Sequence, residues 1–214
     1  MIDKKYVASL EVDPQCGFSE LCMKELPVPG AVDIVPELNA QAKYARLRCA
    51  SKDAHNPNGL WIASALLPQF SKVNLQNIDM RWNRHCEVGT FGMQFLPGLP
   101  KPLDYDFIAY KGIENDSHPY GACFQDLQGK RSTGLIEFLK CNSIYTVIIG
   151  GLAEDYCCLE TAKQLRRAGF DVIFNTGAMR GIDPTGVIKA IEEIKSLGGI
   201  VLMQANELAK HITI

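Results

Sequence analysis

Cys157 sits in Gly150-Gly151-Leu152-Ala153-Glu154-Asp155-Tyr156-Cys157, where an apolar run gives way to a helical pattern. A thiol in the first turn of a helix meets free backbone N–H groups and the positive dipole end. Both lower its pKa and equip it as a nucleophile. The same N–H groups could hold an oxyanion. The position equally suits a packed thiol at a buried helix start. Asp53 and His55 form an Asp-x-His pair. Residues two apart on an extended segment point the same way, so a carboxylate and an imidazole can reach one ion. Those donors suit zinc, iron or manganese. A third ligand is needed, and the histidines are His55, His85, His118 and His211. His85, in Trp82-Asn83-Arg84-His85-Cys86, is the candidate, and His211 reads as solvated. Isolated surface histidines are the competing reading of the pair. Lys111 and Asp13 each follow a strand-like run. Alone they read as a solvated strand end and a loop cap. Beside a thiol, the lysine could hold the carboxylate and neutralise developing negative charge.

These residues are far apart in sequence, so the elements between them must bring them together. Strand-like runs are expected at residues 6–12, 46–51, 106–110, 144–149, 170–174 and 199–203. Helical patterns are expected at 33–45 with Asp33 as N-cap, at 133–140, from an Asp155 cap to about 168, at 184–197, and from 206. Residues 56–105 are rich in Pro, Gly and Asn and read as irregular. So long a stretch should carry function. Strands alternating with helices imply a doubly wound, Rossmann-like α/β fold. Its mainly parallel sheet would have six strands, with helices on both faces. Ligands in such sheets bind beyond the carboxyl ends of the strands. Asp13, Asp53 with His55, Lys111 and Cys157 all fall there. No G-x-G-x-x-G follows the first strand, which argues against a dinucleotide site.

The chain has 214 residues, 47% hydrophobic and 21% charged, which excludes disorder and fits one domain over residues 1–214. A net charge of −2 is not built to hold a phosphate backbone, so no nucleic-acid partner is expected. The longest apolar run, around residues 147–153, is too short to span a bilayer. The N-terminal residues have too little apolar length for a secretory signal. Eight cysteines, at 16, 22, 49, 86, 123, 141, 157 and 158, show no CxxC pair. They read as free thiols in a cytoplasmic protein.

Five segments, in order, resemble the nicotinamidases of the isochorismatase-like cysteine hydrolase superfamily. They are Val12-Asp13-Pro14-Gln15 with Phe18; Ser51-Lys52-Asp53-Ala54-His55; Trp82 to Cys86 with Gly89-Thr90; Lys111-Gly112 with Tyr120; and Gly151 to Cys157. The resemblance implies Cys157 as nucleophile, Asp13 as its base and Lys111 as the group that orients and tunes the pair. It also implies an oxyanion hole from the backbone N–H groups of Ala153 and Cys157, with a cis peptide entering Ala153. One divalent transition metal would sit at Asp53, His55 and His85: zinc, with iron or manganese as alternatives. Phe18 and Trp82 would sandwich a pyridine ring, with Tyr120 as a further substrate contact. The implied reaction is deamidation of nicotinamide to nicotinate and ammonia through a thioester, as in NAD salvage. Pyrazinamide is a plausible second substrate.

The chain departs from the pattern at Cys16-Gly17, at Asn83, and at Cys158, where relatives often carry Val. Trp61 stands where some relatives place a further histidine, and Ser64 is a weak candidate for an extra ligand. Two alternatives stand beside this reading. One is a metal-free isochorismatase-like hydrolase of another small amide, ureide or enol ether. The other is a non-catalytic doubly wound binding protein.

Overall fold

The computed structural model describes residues 1–213. Its strands and α-helices run in the order β1 (Ile2–Asp3), β2 (Val7–Val12), α1 (Val35–Ala42), β3 (Leu47–Asp53), β4 (Lys72–Leu75), β5 (Ile78–Met80), β6 (Phe107–Lys111), α2 (Leu135–Cys141), β7 (Thr146–Leu152), α3 (Leu159–Arg167), β8 (Asp171–Arg180), α4 (Pro184–Ser196), β9 (Ile200–Leu202) and β10 (Ile212–Thr213). Six strands form a sheet in the order β6-β3-β2-β7-β8-β9, parallel at every pairing. This is the expected doubly wound sheet.

Burial explains the strands. β7 reads TVIIGGL and is buried at every residue, as a strand covered on both faces requires. Alternate side chains serve two cores. Leu10, Val12, Val147, Ile149, Val172 and Phe174 pack with Leu135 and Leu139 of α2, Ala162 and Leu165 of α3, and Ile194 of α4. Val7, Ile148 and Ile173 face the other way, toward Leu208 in the turn Ala205–Lys210. Leu38 of α1 belongs to the neighbouring cluster on that side, with Ile34 and Ala178. α4 starts at Pro184, as expected, and Asp183 caps it by accepting from the amides of Thr185 and Gly186.

Several local expectations are corrected. Asp33 does not cap α1. The chain enters α1 through a 3₁₀ turn at Ala31–Ile34, and the cap position falls on Ile34 with no side-chain bond. Asp155 caps no helix either. Its carboxylate accepts the amides of Ile182 and Asp183, and so ties the turn after β7 to the end of β8. β8 runs on to Arg180 because an irregularity after Ile149 lets it rejoin β7, pairing Met179 with Gly151 and Arg180 with Leu152. The stretch at residues 56–105 is mostly irregular, as expected, but contains the β4–β5 hairpin. β1 pairs with β10, a pairing two-residue strands do not announce. All eight cysteines are free. Among the described residues, no helix is long and apolar enough to cross a membrane.

The topology locates the site. From β2 the chain steps outward to β3 and β6, then returns to β7 and steps the other way to β8 and β9. The winding therefore reverses between β2 and β7, and the crevice at their carboxyl ends is where such sheets bind ligands. Those strands end at Val12 and Leu152, next to Asp13 and Ala153.

Candidate active site

Asp13 leaves β2 at φ +45°, a left-handed conformation that Asp tolerates better than most residues. Its amide donates to Ser51 Oγ at 3.2 Å, and Ser51 Oγ donates to Asp13 Oδ1 at 2.7 Å. Across the crevice, the register places Gly151 opposite Val12. Gly151 has φ +134°, and a Cβ there would meet Val12 O at 2.0 Å, so only glycine allows this approach. The Leu152–Ala153 peptide is cis, as expected. A π-helical turn, Glu154–Cys158, then presents Cys157.

Lys111 ends β6, where it pairs in register with Asp53. Its buried ammonium lies 2.9 Å from Asp13 Oδ2, donates to Asp53 Oδ1, and lies 3.9 Å from Cys157 Sγ. Asp13, Asp53 and Cys157 bring their oxygen and sulfur atoms within 4.8 Å of one another. Asp13 Oδ2 has no hydrogen bond of good alignment, despite the nearby ammonium. It therefore keeps a lone pair free to take a proton.

Burial sets the resting protonation. It would lower the lysine's pKa, but Asp13 and Asp53 outweigh it, and Lys111 stays a cation with its pKa raised well above the usual value. Burial raises Asp13 to about 6, against the pull of Lys111. Burial also tends to raise Asp53, but Lys111 and His55 hold it well below the usual carboxylate range. For Cys157 the sequence-based expectation of a lowered pKa is reversed. Burial pushes the thiol well up, with Lys111 opposing and the two carboxylates adding. Cys157 thus rests as a thiol, which would have to lose its proton to a neighbour before acting as a nucleophile.

The expected metal residues also converge. Asp53 Oδ2 lies 3.3 Å from His55 Nε2 and 3.8 Å from His85 Nε2. Donors around one ion at about 2.1 Å sit roughly 3–3.5 Å apart, so the His55 distance fits a metal and the His85 distance is a few tenths of an ångström longer. The opposite ring nitrogens are anchored: His55 Nδ1 meets Gly112 O at 3.3 Å and His85 Nδ1 meets Asn83 O at 2.6 Å. Such outer contacts turn the Nε2 lone pairs toward an ion. His55 Nε2 is buried with no hydrogen-bond partner. A buried polar atom left so costs about 1–3 kcal/mol, which an ion would offset. Burial depresses His85 to about 3, so its lone pair is free for coordination.

Sequence reasoning missed three contributors. Gln15 donates to Asp53 O and accepts from Asp53 N, both at 2.8 Å, which fixes the end of β3 against the loop after β2. Ser51 holds Asp13, and its place two residues before Asp53 on β3 was the available signal. His118 stacks on His55 with ring centroids 4.9 Å apart, and no spacing rule links it to the Asp-x-His pair. Ser64, by contrast, lies in an exposed turn and accepts from Leu67 N. His211 pairs with neither group; it lies beside β10.

A pocket lined by Phe18, Trp82, Tyr120, Ala153 and Cys157 joins the two groups. It is narrow, with a cavity volume of about 20 Å³. Tyr120 accepts from Trp82 Nε1 at 3.1 Å and donates to Asp79 at 2.8 Å, which sets the indole's position. Tyr120 and Tyr156 also border an outer groove of about 420 Å³ that carries Asp79, Asp126, Asp155 and Glu160. Chemically, the arrangement offers a thiol, a carboxylate to receive its proton, a fixed cation and an ion site at one end of a flat apolar slot.

Comparison with known proteins agrees with this geometry. The Isochorismatase domain model matches residues 10–206. The chain is 31% identical over 185 residues to a nicotinamidase of Acinetobacter baylyi, covering 85% of each chain. Among solved structures, it resembles an Acinetobacter baumanii nicotinamidase with a TM-score of 0.86 and 28% identity, over 95% of this chain and 98% of that one. It also resembles a Pyrococcus horikoshii pyrazinamidase solved in complex with zinc, with a TM-score of 0.73 and 29% identity, over 92% and 98%. With its parallel sheet, its switch-point crevice and a family match across most of its length, the chain belongs to the isochorismatase-domain family.

Proposed function

We propose that this protein is a metal-assisted cysteine amidohydrolase, acting as one domain, that converts nicotinamide to nicotinate and ammonia. The observation that carries the reading is the contact of one buried lysine with Asp13, Asp53 and Cys157, the last two of which line a narrow apolar pocket. Similarity to nicotinamidases supports the substrate.

In this mechanism Asp13 Oδ2 takes the proton of the Cys157 thiol as the sulfur attacks the carboxamide carbon. Negative charge develops on the amide oxygen, where the backbone N–H groups of Ala153 and Cys157 receive it. The tetrahedral species collapses, the C–N bond breaks, and Asp13 returns its proton to the leaving nitrogen, releasing ammonia and a thioester on Cys157. Water then attacks the thioester carbon. Asp13 takes one proton of the water and passes it to the departing sulfur, which restores the thiol; the acid so formed gives its remaining proton to solvent or to the released ammonia and leaves as nicotinate. Lys111 keeps its proton throughout and holds Asp13 in line. Phe18 and Trp82 sandwich the ring, and Tyr120 keeps Trp82 in place. Asp53, His55 and His85 would hold the metal, zinc or alternatively iron or manganese. When bound, it would supply a Lewis-acidic anchor for the ring nitrogen.

The test is ammonia release from nicotinamide by purified protein, with and without a chelator. Release that the chelator stops and zinc restores is expected. No release from nicotinamide, with or without added metal, would overturn the reading.

A further inference from the structure

His118 is an imidazole for which the mechanism above has no use. It comes from the loop after β6, a segment separate from those that carry His55 and His85. The side chain is 3% exposed, and neither Nδ1 nor Nε2 has a hydrogen-bond partner. It is not isolated, however. One ring nitrogen from each of His55, His85 and His118 can be chosen so that all three lie within 4.8 Å of one another. The ring centroids lie 4.9 Å apart for His118 and His55, and 5.6 Å apart for His118 and His85. Trp61, from the loop after His55, packs on the same cluster, with its ring centroid 4.5 Å from that of His55 and 4.7 Å from that of His118. Among the described residues, no carboxylate or backbone carbonyl is bonded to either nitrogen of His118.

We infer that His118 is a ligand of the same metal ion, so that three imidazoles from three separate segments hold it beside Asp53. This rests on the metal-assisted reading and deepens it. A buried imidazole with two unpartnered nitrogens, grouped with two others whose outer nitrogens are anchored to carbonyls, has the chemistry of an ion ligand. A three-imidazole set suits zinc and is open to other first-row metals. The site would then use an imidazole from beyond β6 rather than one from the loop that follows His55.

The test reads metal binding directly. Zinc affinity is measured by competition with a chelating dye for wild type, His118→Ala, His118→Phe and, as reference, His85→Ala. Circular dichroism of the metal-free proteins checks folding. Both His118 variants should fold and bind zinc about tenfold or more weakly than wild type. X-ray absorption of zinc-loaded wild type should count three imidazoles, and this count stands even if the variants fail to fold. Unchanged zinc affinity in a folded His118 variant, or a count of two, would overturn the inference. So would unchanged affinity with only a raised KM for nicotinamide, which would make His118 a substrate contact. Wild type that takes up no zinc, iron or manganese would overturn the metal-assisted reading itself, and this assignment with it.

Discussion

Cys157 is one of eight thiols, and its neighbours determine what distinguishes it. Cys158 is fully buried, and burial raises its pKa well above the usual value with no lysine opposing. Cys141 is exposed. Brief alkylation should therefore label Cys141 first and leave turnover intact, because a thiol 6% exposed is poorly reached. Peptide mapping against residual activity checks this, and parallel loss of activity with Cys141 labelling would contradict it. Cys158→Val should retain nearly full activity, since Cys158 packs among Val12, Ala162 and Leu165 in the core cluster. Asp13 makes a second prediction. As the proposed base it must be ionised, and burial raises it to about 6. The ratio kcat/KM should be flat above that pH and fall about tenfold per unit below it. A profile flat down to pH 4.5 would remove Asp13 as the base.

At the scale of elements, the short connections matter more than the strands. Gly112 follows β6 at φ +79°, and a Cβ there would lie 2.6 Å from His55 Nδ1. Gly112→Ala should cost more than about 1 kcal/mol of stability and weaken zinc binding, because the His55 ring must turn away from its carbonyl anchor. Thermal melting and zinc titration check both effects. Substrate entry makes a further prediction. A cavity of about 20 Å³ holds about one water, so a pyridine ring needs its cover to move. Phe70 packs edge-on against Trp82 at 5.3 Å and Asp79 accepts from Tyr120, so the segment 62–80 touches two residues that line the slot. Hydrogen exchange in residues 62–80 should slow when nicotinate binds, and an unchanged rate there would place the cover elsewhere. The strands and the residues at their ends were legible in the sequence because burial imposes pattern. Thr146 to Ile149 form the covered strand that IYTVII suggested, although Tyr145 before them is exposed, and Asp13, Asp53 and Lys111 follow directly from where strands stop. His118 was not legible, since its closeness to His55 depends on how the loop after β6 folds back. The thiol's raised pKa was missed because helix position is local, whereas the burial that outweighs it comes from the whole crevice.

At the scale of the molecule, the sheet binds the site together. Lys111 on β6, Asp53 on β3, Asp13 after β2 and Cys157 after β7 span four adjacent strands, so the proposed ion site and the proposed nucleophile share one edge of the sheet. Metal binding should then be linked to global stability. Zinc at 100 times its Kd should add about 2.7 kcal/mol and raise the Tm, and a chelator should reverse the gain without unfolding the protein. A Tm indifferent to zinc would separate the ion from the fold. The central claim is that Cys157 performs the chemistry. The most direct measurement is ammonia release from nicotinamide by Cys157→Ser beside wild type, both zinc-loaded and with matching circular dichroism. The account predicts a loss of at least about a thousandfold, as expected when a covalent nucleophile is replaced. Release within tenfold of wild type would contradict it.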